Sequence, residues 1–269
     1  MDIVVIEKML KINKIHQGDC MELMQHISDK SVDMILCDLP YGTTDAKWDK
    51  VLPLEELWKQ YKRILKEGGV VVLTASQPFT TDLINSNRDW FKYCWVWNKT
   101  KSGNFAIAKF QPLRITEDVL IFYRKSGKYF PIMSKAKLEN KRPRDKYYNK
   151  KSDMLNGFSK GIFKTDENHN EDLRYPTNIL TFPSTEKECN AINRVHPTQK
   201  PLILFEYLIR TYTNEGELVL DNCIGSGTTA VACKQANRNF IGIDLSQEYV
   251  DISNERLSQK GLSSFVPIV

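Results

Sequence analysis

The chain has 269 residues and a mass of 31.2 kDa, enough for one large hydrophobic core with or without a smaller second unit. Its formal net charge of +5 and pI near 8.7 are only mildly basic, so bulk charge alone does not define a partner. With 41% hydrophobic residues the composition excludes a disordered chain, and no apolar run has the length expected of a membrane span.

Cysteine and histidine spacing gives no metal-binding pattern. None of the six cysteines forms a CxxC pair, and the four histidines lack the HExxH spacing of zinc enzymes. Cys189 and His196 are near each other along the chain, but no further ligand pair is spaced to join them in a zinc site. We therefore expect no metal. Free thiols and the lack of a signal-peptide pattern at the first residues predict a cytoplasmic protein.

The first half of the chain alternates predicted strands and helices. Apolar residues recur at helical spacing between Leu54 and Leu65, and the KEGG that follows indicates the end of that helix. The run GVVVLTA is continuously apolar, which is typical of a strand buried on both faces. In chain order we predict strands at 14–20, 32–37, 69–75, 90–98 and 118–124, and helices at 21–27 and 54–65. This alternation predicts an α/β domain with a largely parallel sheet.

The alternation breaks between residues 124 and 164, where charge becomes concentrated. This stretch holds thirteen lysines and arginines against three acidic residues, with tyrosines and phenylalanines interleaved. One interpretation is a solvated surface insert. The other is a surface for nucleic-acid phosphates, with rings available to stack on bases. We favour the second because of the motifs described below.

A regular pattern returns after His196. We predict helices at 201–212, 228–236 and 247–259, and strands at 217–220 and 238–244. The segment DNCIGSGTT joins a strand to a helix, and Gly225 and Gly227 within it let the backbone approach a ligand at the helix N-terminus. Asp244 ends the next strand, where a carboxylate can accept hydrogen bonds from ribose hydroxyls.

This glycine-rich segment leaves several ligands open. A strand-to-helix turn without a ligand would use the same residues. No lysine follows the glycines, which disfavours a phosphate-binding P-loop. The spacing alone does not separate a nicotinamide dinucleotide from another adenosine ligand such as S-adenosylmethionine.

The stretch VDMILCDLPYGT distinguishes between a nicotinamide dinucleotide and S-adenosylmethionine. If its apolar part is a parallel strand, Asp38 lies at the strand's carboxyl end and faces the ligand crevice. Pro40 fixes the backbone, so that the Asp38 carboxylate and the Leu39 carbonyl form two neighbouring acceptors suited to an exocyclic amino group. Tyr41 offers a face to a flat base. The alternative is an ordinary turn with an N-capping aspartate.

Together these motifs resemble the amino-group DNA methyltransferases of the β arrangement, in which the catalytic motif precedes the cofactor motif. GDC, DLPYG, KEGG, TEDVLIFYR, HPTQKP, DNCIGSGTT and IGID occur in the family's order over most of the chain. The resemblance implies a Rossmann-like S-adenosylmethionine-dependent methyltransferase sheet with helices on both faces. It also implies a catalytic core of residues 1–124 and 191–269, and a basic target-recognition insert of residues 125–190.

The resemblance implies a role for each matching residue. The catalytic residues are Asp38, Leu39, Pro40 and Tyr41. Three acids are assigned to parts of the cofactor: Asp19 to the adenine, Asp244 to the ribose and Asp38 to the methyl group. The loop residues that bind the cofactor are Asp221, Gly225 and Gly227. The segment over the methionine end contains Thr198, Gln199 and Lys200. Candidate DNA-binding residues in the insert are Lys141, Arg142, Arg144 and Lys146. Three positions depart from the family pattern. Many members carry proline in place of Leu39, proline in place of Asn222 and phenylalanine in place of Cys223.

The implied function is site-specific methyl transfer from S-adenosylmethionine to the exocyclic amino group of a flipped base in double-stranded DNA. Adenine N6 is favoured, since an aspartate at the first motif position accompanies adenine more often than cytosine. The alternatives are a cytosine-N4 enzyme, an RNA or small-molecule methyltransferase, a catalytically weak DNA-binding relative and, least favoured, a dehydrogenase. Expected partners are DNA, a cognate restriction endonuclease and a second copy, in a prokaryotic or phage-type cytosol and away from membranes.

Overall fold

An eight-stranded sheet dominates the computed structural model, which describes residues 9–42, 49–103, 105–135, 173–184 and 199–259. The strands are β1 Lys14–Gln17, β2 Val32–Cys37, β3 Leu65–Ala75, β4 Phe91–Asn98, β5 Thr116–Phe122, β6 Ser134–Lys135, β7 Leu173–Arg174, β8 Ile179–Thr181, β9 Leu218–Asp221 and β10 Asn239–Asp244. The helices are α1 Cys20–Leu23, α2 Leu54–Ile64, α3 Phe79–Ser86, α4 Leu202–Tyr212, α5 Thr228–Gln235 and α6 Gln247–Ser258.

The strand order of the large sheet is β1-β10-β9-β2-β3-β5-β4-β8. β5 pairs antiparallel with both β3 and β4, whereas every other neighbouring pair is parallel. Seven strands therefore point the same way, and their carboxyl ends meet at one edge, which we call the carboxyl edge. It is the edge at which strands end in Gln17, Cys37, Ala75, Asn98 and Asp244. Ligands of open α/β sheets bind at this edge.

The helices form two groups. α1, α2 and α3 pack over one set of alternating strand residues and make a continuous core with them. α4 packs on β2 and α5, and α5 packs on β10 and α6. Because successive strand residues face opposite sides of a sheet, these two groups cover its two faces. The strands in between are accordingly apolar throughout, as in β2, in which every residue is buried.

Most predicted elements exist within a few residues of their predicted bounds, and three features differ. β3 begins at Leu65, so the KEGG that ends α2 already belongs to the strand. α3 was not predicted, because its sequence FTTDLINS has only a weak apolar stripe. β8 lies inside the predicted insert 125–190, and it pairs with β4 at the end of the large sheet.

The described residues divide into two compact units. The larger contains residues 9–130 and 177–259, and the smaller contains residues 131–135 and 173–176, in which β6 pairs antiparallel with β7. The predicted DNA-binding residues Lys141, Arg142, Arg144 and Lys146 lie outside the described residues. Within the described ranges, no helix has both the length and the apolar character needed to cross a bilayer.

A buried carboxylate ties strands together at the opposite edge of the sheet. Asp33 has 3% of its side chain exposed and accepts hydrogen bonds from Lys66 at 2.6 Å, Lys128 at 3.1 Å and the Leu218 backbone N–H at 3.1 Å. Burial alone would raise the pKa of Asp33, but these donors outweigh it and lower the pKa. The cluster links β2, β3, β9 and the chain after β5.

We expect Asp33→Asn to lower the free energy of unfolding at pH 7 by about 2–3 kcal/mol, because it weakens two charge-assisted hydrogen bonds to a buried group. The pKa of Asp33 is lower in the folded state than in the unfolded state. The stability difference between wild type and variant is therefore fully present above the unfolded pKa of about 4, and it is lost as the pH falls below that value through the folded-state pKa. Urea titrations at several pH values measure it. Asp29→Asn is the control, since Asp29 pairs with Arg63 while 71% exposed; an equal loss in both variants contradicts the account.

Candidate active site

Strand β2 delivers Asp38 to the carboxyl edge. The strand is apolar up to Cys37, and the side chain of the next apolar residue, Leu39, is packed into the core at 3% exposure. Pro40 has no N–H and cannot extend the sheet pairing, so the chain leaves the sheet here. Asp38 is left half-buried, with 21% of its side chain exposed at the mouth of the crevice.

Three donors hold the Asp38 carboxylate. Tyr41 donates its hydroxyl to Oδ1 at 2.8 Å, and the Thr74 hydroxyl on β3 donates to the same oxygen. Lys200 donates its ammonium to Oδ2 at 2.6 Å. A carboxylate offers about four acceptor positions, so these three bonds fix the group in place and leave capacity for one more donor.

Lys200 belongs to a row of alternating charges. Its ammonium, 8% exposed, lies 2.6 Å from Asp38 and 3.6 Å from Glu117, and Lys99 closes the row at 3.1 Å from Glu117. Burial opposes the charged form of Lys200, but the Asp38 and Glu117 carboxylates outweigh it and raise the pKa of the lysine. Burial likewise opposes a charged Glu117, and Lys200 and Lys99 lower the pKa of that carboxyl. Lys200 is therefore a fixed cation behind Asp38.

Tyr41 is fixed at both ends. Its hydroxyl is bonded to Asp38, and its ring stacks on Phe79 at a centroid distance of 5.3 Å and an interplanar angle of 29°. Burial, followed by the nearby Asp38 and Glu117, raises the pKa of Tyr41 well above its usual value. The hydroxyl therefore stays protonated and remains a donor. Phe79, the first residue of α3, stacks on the ring, and the Lys200 ammonium lies over it, 5.7 Å from the ring centroid.

The glycine-rich loop after β9 is built around Asp244. Gly225 donates its backbone N–H to Asp244 Oδ2 at 2.8 Å, and Ser246 donates its own to Oδ1 at 2.9 Å. Burial raises the pKa of Asp244, and these two backbone donors partly offset the effect. Each oxygen retains acceptor capacity at the carboxyl edge, as hydroxyl donors of a ligand would require.

Helix α6 supports the loop from behind. Gly227 precedes α5 with φ of +81°, and a Cβ there would lie 2.8 Å from the Cβ of Ser253, so only glycine fits. Ser253 donates its hydroxyl to the Gly225 carbonyl at 2.7 Å, and Arg256 donates to the Ser226 hydroxyl at 3.0 Å. The loop is thus rigid before any ligand binds.

Asp221 shapes the loop from inside the protein. It is buried, and it accepts hydrogen bonds from the Thr229 hydroxyl and, at 3.1 Å, from the Cys223 backbone N–H. Burial raises the pKa of Asp221 to about 7. The unusual Asn222 also has a partner, because Tyr61 on α2 donates its hydroxyl to the amide oxygen at 2.5 Å. A buried tyrosine therefore accommodates the departure from proline at this position.

Asp19 follows strand β1, which neighbours the strand that ends in Asp244. β1 pairs with β10 so that Gln17 is opposite Asp244, and Gly18 donates its backbone N–H to the Asp244 carbonyl at 2.9 Å. Asp19 itself is exposed and caps α1 by accepting the Met21 N–H at 2.7 Å. The two acids therefore occupy the carboxyl ends of neighbouring strands.

The structure brings most predicted site residues to one edge. The resemblance assigns Lys200 to a segment over the cofactor, and in the structure its ammonium contacts Asp38 and Glu117. Thr198, Cys189 and His196 lie outside the described residues.

Sequence reasoning missed Thr74, Lys99, Glu117 and Phe79. The available signals were a hydroxyl inside the apolar run VVVLTA and an acid at the start of TEDVLIF.

The sheet order, the rigid glycine loop with an acid on the next strand, and a carboxylate at the end of β2 together define a methyltransferase with an amino-group site. The N6/N4 methyltransferase family model, described as DNA methylase, matches residues 32–255. The chain belongs to this family and is a DNA methyltransferase, which confirms the family resemblance and the predicted α/β class. Among the described residues, no group of three or more histidine, cysteine or acidic side chains is arranged to hold a metal.

Relatives match over nearly the whole chain. The Type II methyltransferase M1.MboII of Moraxella bovis is 28% identical over 267 residues, which cover 93% of this chain and 98% of the relative. M.HpaI of Haemophilus parainfluenzae is 28% identical, covering 90% and 73%. The solved M1.HpyAVI complex with S-adenosylmethionine has a TM-score of 0.58 at 26% identity, covering 91% and 99%. The cytosine-N4-specific PvuII DNA methyltransferase shares the fold, with a TM-score of 0.65 at 17% identity over 96% and 90%.

We expect Lys200→Met to lower kcat for DNA methylation by about a hundredfold, because Asp38 loses the partner that fixes it and faces Glu117 without an intervening cation. Initial rates of methyl transfer to DNA measure the effect. The matched control is Lys66→Met, which removes a lysine 2.6 Å from a buried aspartate at the opposite edge of the sheet. The control should lose stability and keep kcat; equal rates for Lys200→Met and the wild type would contradict the role.

Proposed function

We propose that the protein transfers a methyl group from S-adenosylmethionine to N6 of an adenine flipped out of double-stranded DNA, at a specific sequence. The observation that carries the proposal is the Asp38 carboxylate at the carboxyl edge, held by Lys200, Thr74 and Tyr41 with one acceptor position left. This position and the neighbouring Leu39 carbonyl together suit a donor with two hydrogens, which is what an exocyclic amino group provides.

The residues present fit an adenosine cofactor. Asp244 orders the glycine loop and still offers lone pairs for ribose hydroxyls, and Gly225 carries no side chain that would block close approach. We assign Asp19, which follows the neighbouring strand and caps α1, to the adenine. We assign Thr198 and Gln199 to the methionine end, following the family pattern. When bound, S-adenosylmethionine supplies an electrophilic methyl group on a sulfonium.

Asp38 and the Leu39 carbonyl then act by orientation. They accept the two amino hydrogens of the base and hold the nitrogen lone pair towards the methyl donor, and such positioning contributes several kcal/mol to lowering the barrier. Following the family pattern, we assign the Tyr41 ring to contact with the plane of the base. The N–C bond would form as the bond between sulfur and the methyl group breaks, which leaves S-adenosylhomocysteine. The amino proton would then pass to Asp38 or to water, so Asp38 need not be a strong base. Lys200 keeps the carboxylate in place throughout.

Adenine is favoured over cytosine because the first motif position is aspartate. The fold does not discriminate between the two, since the cytosine-N4-specific PvuII enzyme shares it. The cytosine-N4 reaction is the second candidate, and both reactions use the same pair of acceptors. Identification of the methylated nucleoside separates them.

We infer that residues 125–190 provide the DNA-recognition region and residues 1–124 and 191–269 the catalytic core. The charge of residues 124–164, thirteen basic against three acidic side chains, supports this division. A cognate restriction endonuclease is proposed because relatives are named as Type II methyltransferases. A homodimer and a prokaryotic or phage-type cytosolic location follow the same family pattern.

Expression of the protein in a host without such modification should produce N6-methyladenine at one short sequence, detected by long-read sequencing and by mass spectrometry of nucleosides. Asp38→Ala should abolish the mark and keep S-adenosylmethionine binding within about threefold, because the cofactor loop is untouched. Asp29→Ala, at an exposed position far from the edge, is the control. N4-methylcytosine would favour the second candidate. A mark that persists in Asp38→Ala would overturn the catalytic assignment.

Neutralising Lys141, Arg142 and Arg144 together should weaken DNA binding and flatten the plot of log affinity against log salt. The slope should fall by up to about 2.7, or about 0.9 for each phosphate that the variant no longer neutralises. Cofactor affinity should not change. A charge-matched control replaces the exposed Lys11, Lys14 and Lys59, which lie outside the insert. If both triple variants have the same salt slope as the wild type, the three insert residues do not bind phosphates.

A further inference from the structure

The connection between β4 and β5, residues 99–115, exposes large apolar rings. Phe110 is 87% exposed and Phe105 is 72% exposed, the two highest values among the large apolar side chains of the described residues. Exposed aromatics that cluster in this way mark interaction sites more often than inert surface. No role described above uses either ring.

Backbone hydrogen bonds hold both rings on an ordered segment. Phe105 begins a 3-10 turn, Phe105–Ile107, and its carbonyl accepts the Ala108 N–H at 3.1 Å. The Ile107 carbonyl then accepts the Phe110 N–H at 2.9 Å. The two phenylalanines are therefore displayed from consecutive turns, which lowers the entropic cost of using them in binding.

Both ends of this connection are anchored beside the active site. At its start, Lys99 pairs with Glu117. The Glu117 carboxylate in turn lies 3.6 Å from the ammonium of Lys200, which holds Asp38. Near its end, Arg114 donates to the Gln77 carbonyl at 2.8 Å, just after β3 leaves the carboxyl edge. The connection thus rises from the same edge of the sheet as Asp38.

The charge of this connection matches nucleic acid. Residues 99–115 contain four basic side chains and no acidic one, and Lys101 and Lys109 are exposed on the same connection as the rings. Basic side chains attract phosphates, and exposed rings between them stack on bases or insert between base steps. A flipped base leaves a gap in the duplex that an apolar side chain can fill.

We propose that residues 99–115 enter the DNA duplex and that Phe110, assisted by Phe105, fills the gap left by the flipped base, while Lys101 and Lys109 contact the flanking phosphates. This inference rests on the proposed function, because it presupposes a flipped base in double-stranded DNA. It assigns part of DNA binding to the catalytic core, apart from the basic insert.

The test combines Phe105→Ala and Phe110→Ala in one variant and uses two duplexes. The paired duplex carries the sequence mapped in cells expressing the wild type, with its target base paired, and the other duplex has the same composition in scrambled order, so that no target base is flipped. The affinity of the variant for the paired duplex should fall at least about tenfold, and its affinity for the scrambled duplex by less than about threefold. The fluorescence rise of 2-aminopurine at the target position should be largely abolished on the paired duplex.

Ile12→Ala is the matched control, because Ile12 is an exposed apolar residue preceding β1, at the edge of the sheet away from Asp38. It should behave as the wild type on both duplexes. Unchanged binding by the double variant, or an equal loss on both duplexes, would overturn the gap-filling role. Methyl transfer by the wild type to the paired duplex is measured alongside. If the wild type transfers no methyl group, the proposed function is refuted and this inference with it. If the wild type is active and the double variant binds DNA as the wild type does, this inference alone is refuted.

Discussion

The ion pair between Lys200 and Asp38 joins the two halves of the chain at the place where the chemistry occurs. The partners are 162 residues apart in sequence and 2.6 Å apart in space. Burying such charges is costly unless each is fully compensated. Here the compensation is a row in which Lys99, Glu117, Lys200 and Asp38 alternate in sign, with Thr74 and Tyr41 as additional donors. The orientation of the catalytic motif therefore depends on side chains from β3, β5 and the segment before α4.

The two edges of the sheet carry different tasks. At the edge opposite Asp38, the buried Asp33 links three strands and the chain after β5 through Lys66, Lys128 and a backbone N–H. At the carboxyl edge, the carboxylates of Asp38 and Asp244 keep acceptor positions open for ligands. The opposite edge thus holds a buried, fully bonded carboxylate, and the carboxyl edge holds partly exposed ones in fixed positions.

Local sequence patterns predicted the parts of the site that are local in structure. The apolar strand before Asp38, the glycines after β9 and the acid that ends β10 each lie within a few residues of the pattern that identifies them. Strand β5 was predicted but its antiparallel direction was not, because strand direction depends on how the chain returns to the sheet and not on the residues of the strand. β8 is only three residues long and gives no periodic signal.

The supporting residues of the site could not be predicted from spacing, because they meet Asp38 only through the fold. Thr74 comes from β3, Glu117 from β5 and Lys200 from just before α4. HPTQKP and TEDVLIF identified their segments by resemblance, but no local pattern indicates that Lys200 and Glu117 face each other. Asn222 appears in the sequence as a defect of the cofactor motif, and its partner Tyr61 is 161 residues away.

The most direct test is a structure of the protein with a mapped DNA duplex and a non-reactive analogue of S-adenosylmethionine. The account predicts that the exocyclic nitrogen of a flipped adenine lies within about 3.2 Å of both an Asp38 oxygen and the Leu39 carbonyl. It also predicts that Lys200 remains on the other Asp38 oxygen. A target base whose amino group is bound elsewhere, or a Lys200 that has left Asp38 for the cofactor, would contradict it.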